Sequence, residues 1–584
     1  MSASQPNSAS PVHASAGGGA SSRPAGISPR SQSPRVGRRY RCNRLNGPYD
    51  AIVIGSGIGG LTTAALLSAA GNKVLVLEQH YTAGGMTHAY ERNGYEWDVG
   101  VHYIGDVGSH PTMTRRLFDF LSAGRLRWAP MDSTYDRICI GEKRYDLRAG
   151  REAFIAGLLE HFPGEEQTLQ RYLQRVSAVG RAMRLLTLEK MLPGWCAPLL
   201  SQWRKWRLPA YLNKTTYEVL RELTDNEQLI AALSGQWGDN GMPPREGSFI
   251  IHALIVKHYL HGGYYPVGGA SALAATIIPQ VQASGGEVFT YAEVETILMD
   301  GNRACGVRMK DGTEIRSPLV ISNAGVFNTF DKLLPESATE QAGYHHDLGT
   351  VKPSMSHLCL YIGLKKTAEQ LGLPKTNYWL YPSADYSADL QRFLDDPAAQ
   401  IPLVYISFPS AKDPTFTQRY PDRATIEIVS PGPYEWFEQW TDQEWGKRGE
   451  DYEALKEQFS QRLLERLYET FPHLRGEIDY YELSTPLSTK HFCFYQRGEI
   501  YGLDHDPARF QQQWLRPQTR IRGLYLTGQD IMSCGVAGAM YGGVVAAQAV
   551  LGWRKAVPLL RKVFSGTGSG QGTAADSDTQ LKSA

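Results

Sequence analysis

The sequence predicts an α/β protein in which a dinucleotide-binding lobe, assembled from three separated segments, is interleaved with an α+β lobe assembled from two. Three observations predict it. Residues 49–105 read strand, glycine turn, helix, strand, acid. A second strand running into a glycine turn, Gly523 to Asp530, lies near the far end and continues into a helix of small residues. Between them, small-residue segments at 264–269 and 322–325 mark returns to the first lobe.

The first unit opens with Ala51-Ile-Val-Ile54, a short apolar run typical of a buried parallel strand. Gly55, Gly57 and Gly60 follow in G-x-G-x-x-G spacing, with an alanine-rich helix from about Gly60 to Ala70. Gly55 makes the tight turn, Gly57 admits a pyrophosphate to the backbone, and Gly60 lets helix and strand pack closely. The helix N-terminus adds partial positive charge where phosphates would lie. Val74–Leu77 is the next strand, ending in Glu78, placed to accept the hydroxyls of an adenosine ribose. Ser56, Gly59 and Gln79 flank these positions and join the candidate contacts. Gly84 and Gly85, followed by Met86, offer a second phosphate contact suited to a longer dinucleotide. At the C-terminal end, Gly528 and Asp530 close a strand, and Gly535, Gly538, Ala539, Gly542 and Gly543 open a helix. Asp530 suits a ribityl or phosphate-linked network, and that helix N-terminus suits a flavin pyrimidine edge. The cofactor expected is FAD rather than NAD.

Between these ends the patterns alternate. Leu117, Phe118, Phe120 and Leu121 predict a helix from Thr112; a hairpin spans Tyr135 to Leu147. Glu152 to Arg184 is helical, broken at Phe162-Pro163-Gly164. Trp195 to Leu212 interleaves aromatics with Arg204, Lys205 and Arg207, a pattern shared by membrane-interface elements and by packed aromatic helices. Asn226 caps a helix over Leu229–Trp237, and a further helix runs from Ser271 towards Ala283. Strands are expected at Val288–Thr290, Val294–Leu298, Ala304–Arg308 and Leu319–Ile321. The last of these ends at Asn323, Ala324 and Gly325, a small-residue turn beside the cofactor. Further strands are expected at Leu358–Ile362, Leu403–Ser407 and Thr425–Val429, and a helix over Tyr452–Phe471. The resulting division is a leader over 1–47, a cofactor lobe over 48–110, 265–330 and 485–563, a substrate lobe over 111–264 and 331–484, and a flexible tail over 564–584.

Several segments carry a resemblance. Asp98-Val-Gly-Val-His102-Tyr103-Ile-Gly105, His261-Gly-Gly-Tyr-Tyr265-Pro266-Val-Gly268-Gly269 and Ser322-Asn-Ala-Gly325-Val-Phe-Asn328 are three of them. Phe408-Pro-Ser-Ala-Lys-Asp413-Pro414, Pro433-Tyr-Glu-Trp-Phe437 and Arg497-Gly-Glu499-Ile-Tyr501-Gly502 are three more. Together they resemble the retinol saturase branch of the carotenoid isomerase and phytoene desaturase superfamily, from Tyr49 to about Leu551. The resemblance implies a Rossmann-type FAD lobe of the flavin amine oxidase and phytoene desaturase kind, with the backbone near Val294 closing over the adenine. It implies a hydrophobic polyene substrate, a retinoid or carotenoid. The electron donor stays open.

The 584 residues carry a formal charge of +1, but the first 49 hold seven arginines and no acid, leaving −6 on the rest. An acidic body excludes an electrostatic case for nucleic acid. Seven cysteines without C-x-x-C spacing, and no His/Cys pattern, point away from a disulfide scaffold and from a metal site. The Ser- and Arg-rich leader resembles a transit peptide, plastid ahead of mitochondrion given the implied carotenoids, with a cytosolic tail as the alternative. No apolar run approaches eighteen residues, so membrane contact is expected to be peripheral.

For chemistry, an isolated alkene offers no carbonyl to polarise, so the flavin carries the reaction while the protein positions the bond and provides one proton. His102, Tyr103, Glu499 and Tyr501 are the candidates. Each also reads as structure: a core histidine, two packing aromatics, and a Glu499–Arg497 ion pair. Net saturation of one double bond is the leading expectation. Cis–trans isomerisation by reduced flavin, and a non-catalytic polyene escort, are the alternatives.

Overall fold

A computed structural model describes residues 35–108, 112–192, 194 and 209–565. Its first sheet has six parallel strands in the order Arg38–Arg39, Glu287–Thr290, Val74–Leu77, Ala51–Ile54, Val320–Ser322 and Leu524–Leu526. Ala51–Ile54 and Val74–Leu77 are buried at every position, as strands covered on both faces must be. One cover is the helix Ile58–Ala69, itself almost entirely buried. The C-terminal helix, Gly535–Ser565, packs on it through glycines. A Cβ at Gly543 would lie 2.6 Å from the Gly59 carbonyl oxygen, and one at Gly542 would lie 2.2 Å from that of Gly528. This is the one helix among the described residues long and apolar enough to cross a membrane by length and composition. Its first part is buried in the protein, and a kink falls at Gly552.

The expected leader boundary at residue 47 moves. Arg38–Arg39 adds an edge strand to the cofactor sheet, Val36 is buried, and Tyr40 N donates to Thr290 O at 2.8 Å. One buried valine among exposed arginines gives no periodic signal, which is why the pattern did not reveal it.

The second sheet has seven strands in the order Ile478–Ser484, His357–Leu364, Ala424–Pro431, Val404–Ser407, Asn377–Tyr381, Thr134–Ile140 and Lys143–Arg148. Every pairing is antiparallel except Asn377–Tyr381 with Thr134–Ile140. The helix Glu450–Thr470 covers one face. The expected break at Phe162–Gly164 separates Arg151–Leu159 from Glu166–Met191, with Gly164 at φ +94°. Two strands of this sheet escaped the sequence reading. Ile478–Ser484 is a half-exposed edge, and Asn377–Tyr381, buried throughout, mixes an asparagine and three aromatics with one leucine and so shows no apolar alternation. Of the aromatic–basic stretch Trp195 to Leu212, residues 195–208 lie outside the described residues.

Candidate cofactor and substrate site

One cavity of about 510 Å³ runs from the glycine turn to the second sheet. Gly55, Gly57, Gly59, Glu78, Gln79, Gly84, Gly85, Met86, Val294, Asn323, Ala324, Gly325 and Asp530 line its cofactor end. Ser56, Gly60, Gly528 and Gly538 do not line it but shape it from behind. Ser56 donates through N and Oγ to Glu78 Oε2 at 2.8 and 2.7 Å, and His80 N donates to Glu78 Oε1 at 2.8 Å, so the carboxylate is fixed in place. A Cβ on Gly60 would meet the Gly55 carbonyl oxygen at 2.3 Å, on Gly528 the Asn323 Oδ1 at 2.4 Å, and on Gly538 the Ser533 carbonyl oxygen at 2.2 Å. Gly60 and Gly538 let backbone approach backbone and Gly528 admits the Asn323 side chain, whereas a Cβ on Gly57 would enter the cradle itself, 2.8 Å from Asn323 Nδ2.

FAD fits this cradle. Glu78 stands at the end of the second strand, and Gly84 and Gly85 take φ of +124° and +56°, a conformation that turns consecutive amides toward one side. Asp530 accepts from Val326 N through Oδ2 at 2.8 Å, while its buried Oδ1 has no partner. The turn opening the C-terminal helix, at Gly535 and Val536, also faces the cavity.

The other end is aromatic and apolar: Trp237, Trp379, Leu403, Tyr405, Val429, Met355 and Tyr501. Trp379 and Tyr405 lie 4.4 Å apart between centroids, and a flat conjugated chain suits such a slot. Of the four candidate proton donors, His102 and Tyr501 line the cavity; Tyr103 and Glu499 do not. Tyr501 Oη donates to Gly238 O at 2.8 Å. Glu499 accepts from Arg497 N at 2.8 Å, and the Arg497 guanidinium pairs with Glu435 instead, so the expected Glu499–Arg497 side-chain pair is absent. Tyr103 stacks on Tyr259 at 4.0 Å, its hydroxyl 2.8 Å from Asp136 Oδ2 and 3.0 Å from Asp239 Oδ2.

A buried polar network behind the slot escaped the sequence reading. His102 Nδ1 lies 2.9 Å from Glu427 Oε2, and Asp98 N donates to Glu427 Oε1 at 2.7 Å. Lys412 donates to His102 O at 2.9 Å, to Ser407 Oγ at 2.8 Å and to Asn377 Oδ1, three acceptors for the three N–H bonds of an ammonium. Asn377 and Gln236 in turn donate to Asp136 at 2.9 and 2.6 Å. Burial dominates the titration here. It lowers His102 to about 3, with the Lys412 charge adding to the effect, and lowers Lys412 to about 7 against the pull of Glu427. It raises Asp98 and Glu427, each buried against the other. His357, also on the cavity wall, falls to about 4 through burial. The signal available in sequence was Lys412 inside the Phe408–Pro414 motif and Glu427 inside an apolar strand. Among the described residues no cluster of three metal-ligating side chains occurs.

Comparison with known proteins agrees with this geometry. Residues 53–121 match the model of an NAD(P)-binding Rossmann-like domain. The fold is shared with cyclohexylamine oxidase from Brevibacterium oxydans, at 17% identity and a TM-score of 0.53, over 88% of this chain and 100% of that one. Prolycopene isomerase, chloroplastic, from Arabidopsis thaliana is 28% identical over 86% of this chain and 82% of its own. Human all-trans-retinol 13,14-reductase is 40% identical over 531 residues, covering 88% of this chain and 87% of its own. The chain belongs to the all-trans-retinol 13,14-reductase family of oxidoreductases.

Proposed function

We propose that the protein is an FAD-dependent reductase that saturates one carbon–carbon double bond of a conjugated polyene alcohol of the retinoid class. One observation carries the reading: a dinucleotide cradle and an aromatic slot share a single cavity. A family whose relatives are named for reducing retinol supports it. Gly57, Glu78, Gly84, Gly85, Asn323 and Asp530 would hold the cofactor. Reduced FAD supplies a hydride equivalent when bound. The chain's own work is then to lay the polyene flat between Trp379, Tyr405 and Tyr501, to keep water away, and to provide one proton. His102, with its ring on the wall and Glu427 behind it, is a positioning group in this reading. At the lowered value burial gives it, the imidazole is neutral and contributes shape and a fixed dipole rather than acidity.

The test is anaerobic incubation of the FAD-loaded, chemically reduced protein with all-trans-retinol, read by chromatography and product mass. A gain of two hydrogens with matching loss of reductant is expected. Unchanged mass with an altered cis–trans pattern would replace the reading with the isomerase chemistry named for the Arabidopsis relative. The same proposal extends to place. The acid-free leader supports plastid import, and the aromatic–basic stretch at 195–208 supports a peripheral membrane contact through which an apolar substrate enters.

A further inference from the structure

If the reading above holds, saturation needs one proton per turnover from a group touching the cavity, and none of the four sequence candidates is free to give it. His102 is neutral, Tyr501 is a phenol whose acidity burial suppresses further, and Tyr103 and Glu499 stand off the wall. A fifth group does reach the cavity. Asp239 ends the short turn Trp237–Asp239 on one side of the aromatic slot, and it lines the cavity.

Proton counting fixes its state. The Tyr103 oxygen lies within hydrogen-bond distance of two carboxyls, Asp136 Oδ2 at 2.8 Å and Asp239 Oδ2 at 3.0 Å. A phenol has one proton, so it donates to one of them. The other contact is a hydrogen bond only if that carboxyl is protonated and donates to the phenol oxygen. Asp136 is the acceptor of the two. It collects the amide N–H groups of Gln236 and Asn377, and Asn377 is itself held by the Lys412 ammonium, so positive charge is relayed to Asp136. Among the described residues the Asp239 carboxyl has no donor other than Tyr103. Two ionised carboxylates on one hydroxyl would repel, and the Lys412 charge is relayed to Asp136 and not to Asp239.

We propose that Asp239 is the catalytic acid of this site, a carboxyl kept protonated by the Tyr103–Asp136 pair so that it can deliver a proton to a substrate carbon. Burial and the neighbouring Asp136 both push the Asp239 carboxyl well above its ordinary range, in agreement with the hydrogen-bond count. In the step, the C=C π bond breaks. One carbon takes a hydride equivalent drawn from reduced flavin, the adjacent carbon takes the proton from the Asp239 carboxyl, and Asp239 is left as carboxylate. Water entering after product release restores its proton. Tyr103 and Asp136 are positioning residues, since they act only through Asp239. A neutral carboxylic acid on the wall of an apolar slot, its proton shared with the Tyr103 oxygen, is a stronger acid than any tyrosine beside it, whose own acidity burial suppresses.

The experiment uses the full FAD-loaded chain labelled with ¹³C in the aspartate carboxyls, read by infrared spectroscopy at neutral pH without substrate. A protonated-carboxyl stretch that moves with the label is expected, and the wild-type minus Asp239→Asn difference should contain it. An asparagine amide can donate to Tyr103 as the protonated acid does, so the variant should fold and bind FAD normally. It should also saturate retinol about 100-fold more slowly, the usual worth of a general acid. Should Asp239→Asn not fold, Tyr103→Phe must shift the same band by removing its acceptor. A difference spectrum without a protonated-aspartate band, a band unmoved in Tyr103→Phe, or wild-type turnover by Asp239→Asn would overturn the proposal. The band is read without substrate, so a wild-type protein that shows it but yields no two-hydrogen product condemns the functional reading and leaves the acid standing.

Discussion

Gly57 and Gly60 stand three residues apart in one turn, and the structure gives them opposite consequences when each is changed to alanine. Gly57 has φ −56° and ψ 164°, a backbone conformation open to any residue. A methyl there meets only the Asn323 amide, Nδ2 at 2.8 Å, the far end of a side chain that can turn away. The fold should lose less than about 1 kcal/mol. The methyl, however, stands in the cradle where a pyrophosphate must lie against backbone, and the loss should fall on affinity: about 100-fold weaker FAD binding, or about 2.7 kcal/mol. Gly60 is the reverse case. Its methyl would lie 2.3 Å from the Gly55 carbonyl oxygen and 3.2 Å from Asn323 Cβ, so helix and strand must separate. Overpacking against backbone costs about 3 kcal/mol, more than the roughly 1 kcal/mol that alanine gains over glycine inside a helix. The assay is thermal unfolding of both apoproteins beside flavin titration followed by fluorescence quenching. Gly57→Ala should unfold near wild type and bind poorly; Gly60→Ala should unfold early. Wild-type FAD affinity in Gly57→Ala, or wild-type stability in Gly60→Ala, would refute the assignment of one glycine to the ligand and the other to packing.

Removing residues 1–34 should leave melting and flavin content unchanged. Removing 1–47 should lower flavin affinity, because Val36 O accepts from Ala83 N at 2.8 Å and thereby holds the loop that carries Gly84 and Gly85. Equal flavin content in the two truncations would contradict that link. Glu427→Gln should gain stability relative to wild type as pH rises. The folded carboxyl titrates above its unfolded value of about 4.3, so its contribution is complete below that pH and is lost as pH climbs toward the raised folded value. Denaturant melts at several pH values check this, and a constant difference would refute it. A reporter carrying residues 1–34 is expected to enter plastids, and diffuse cytosolic signal would dismiss the targeting proposal. Alkaline carbonate should strip the protein from membranes, and retention in the pellet would point to an integral anchor.

The cofactor half of the site was legible because its chemistry is local. Gly55, Gly57, Gly60 and Glu78 lie within 24 residues on one strand–turn–helix–strand unit, and each glycine answers to a close approach that the structure shows. The edge strand at Arg38–Arg39 was not legible, since two exposed arginines leave no apolar alternation to read. Nor was the true pairing of Arg497, which passes over its near neighbour Glu499 to reach Glu435.

The proton-handling half was dispersed. Asp98, Asp136, Asp239, Lys412 and Glu427 are contributed by the cofactor-side hairpin, two strands of the second sheet, a short turn and a short helix, and only the folded chain brings them together. One trace of them survives in the sequence. In the strand Ala424–Pro431, Ile426 and Ile428 face the core, so Glu427 shares a strand face with Val429, which lines the cavity. An acid in an inward register, with His102 against it and a buried lysine nearby, is costly unless it is used. That cost directs attention to the cavity wall beside it, where Tyr103, with one proton between two carboxyls, leaves Asp239 as the acid that remains to be tested.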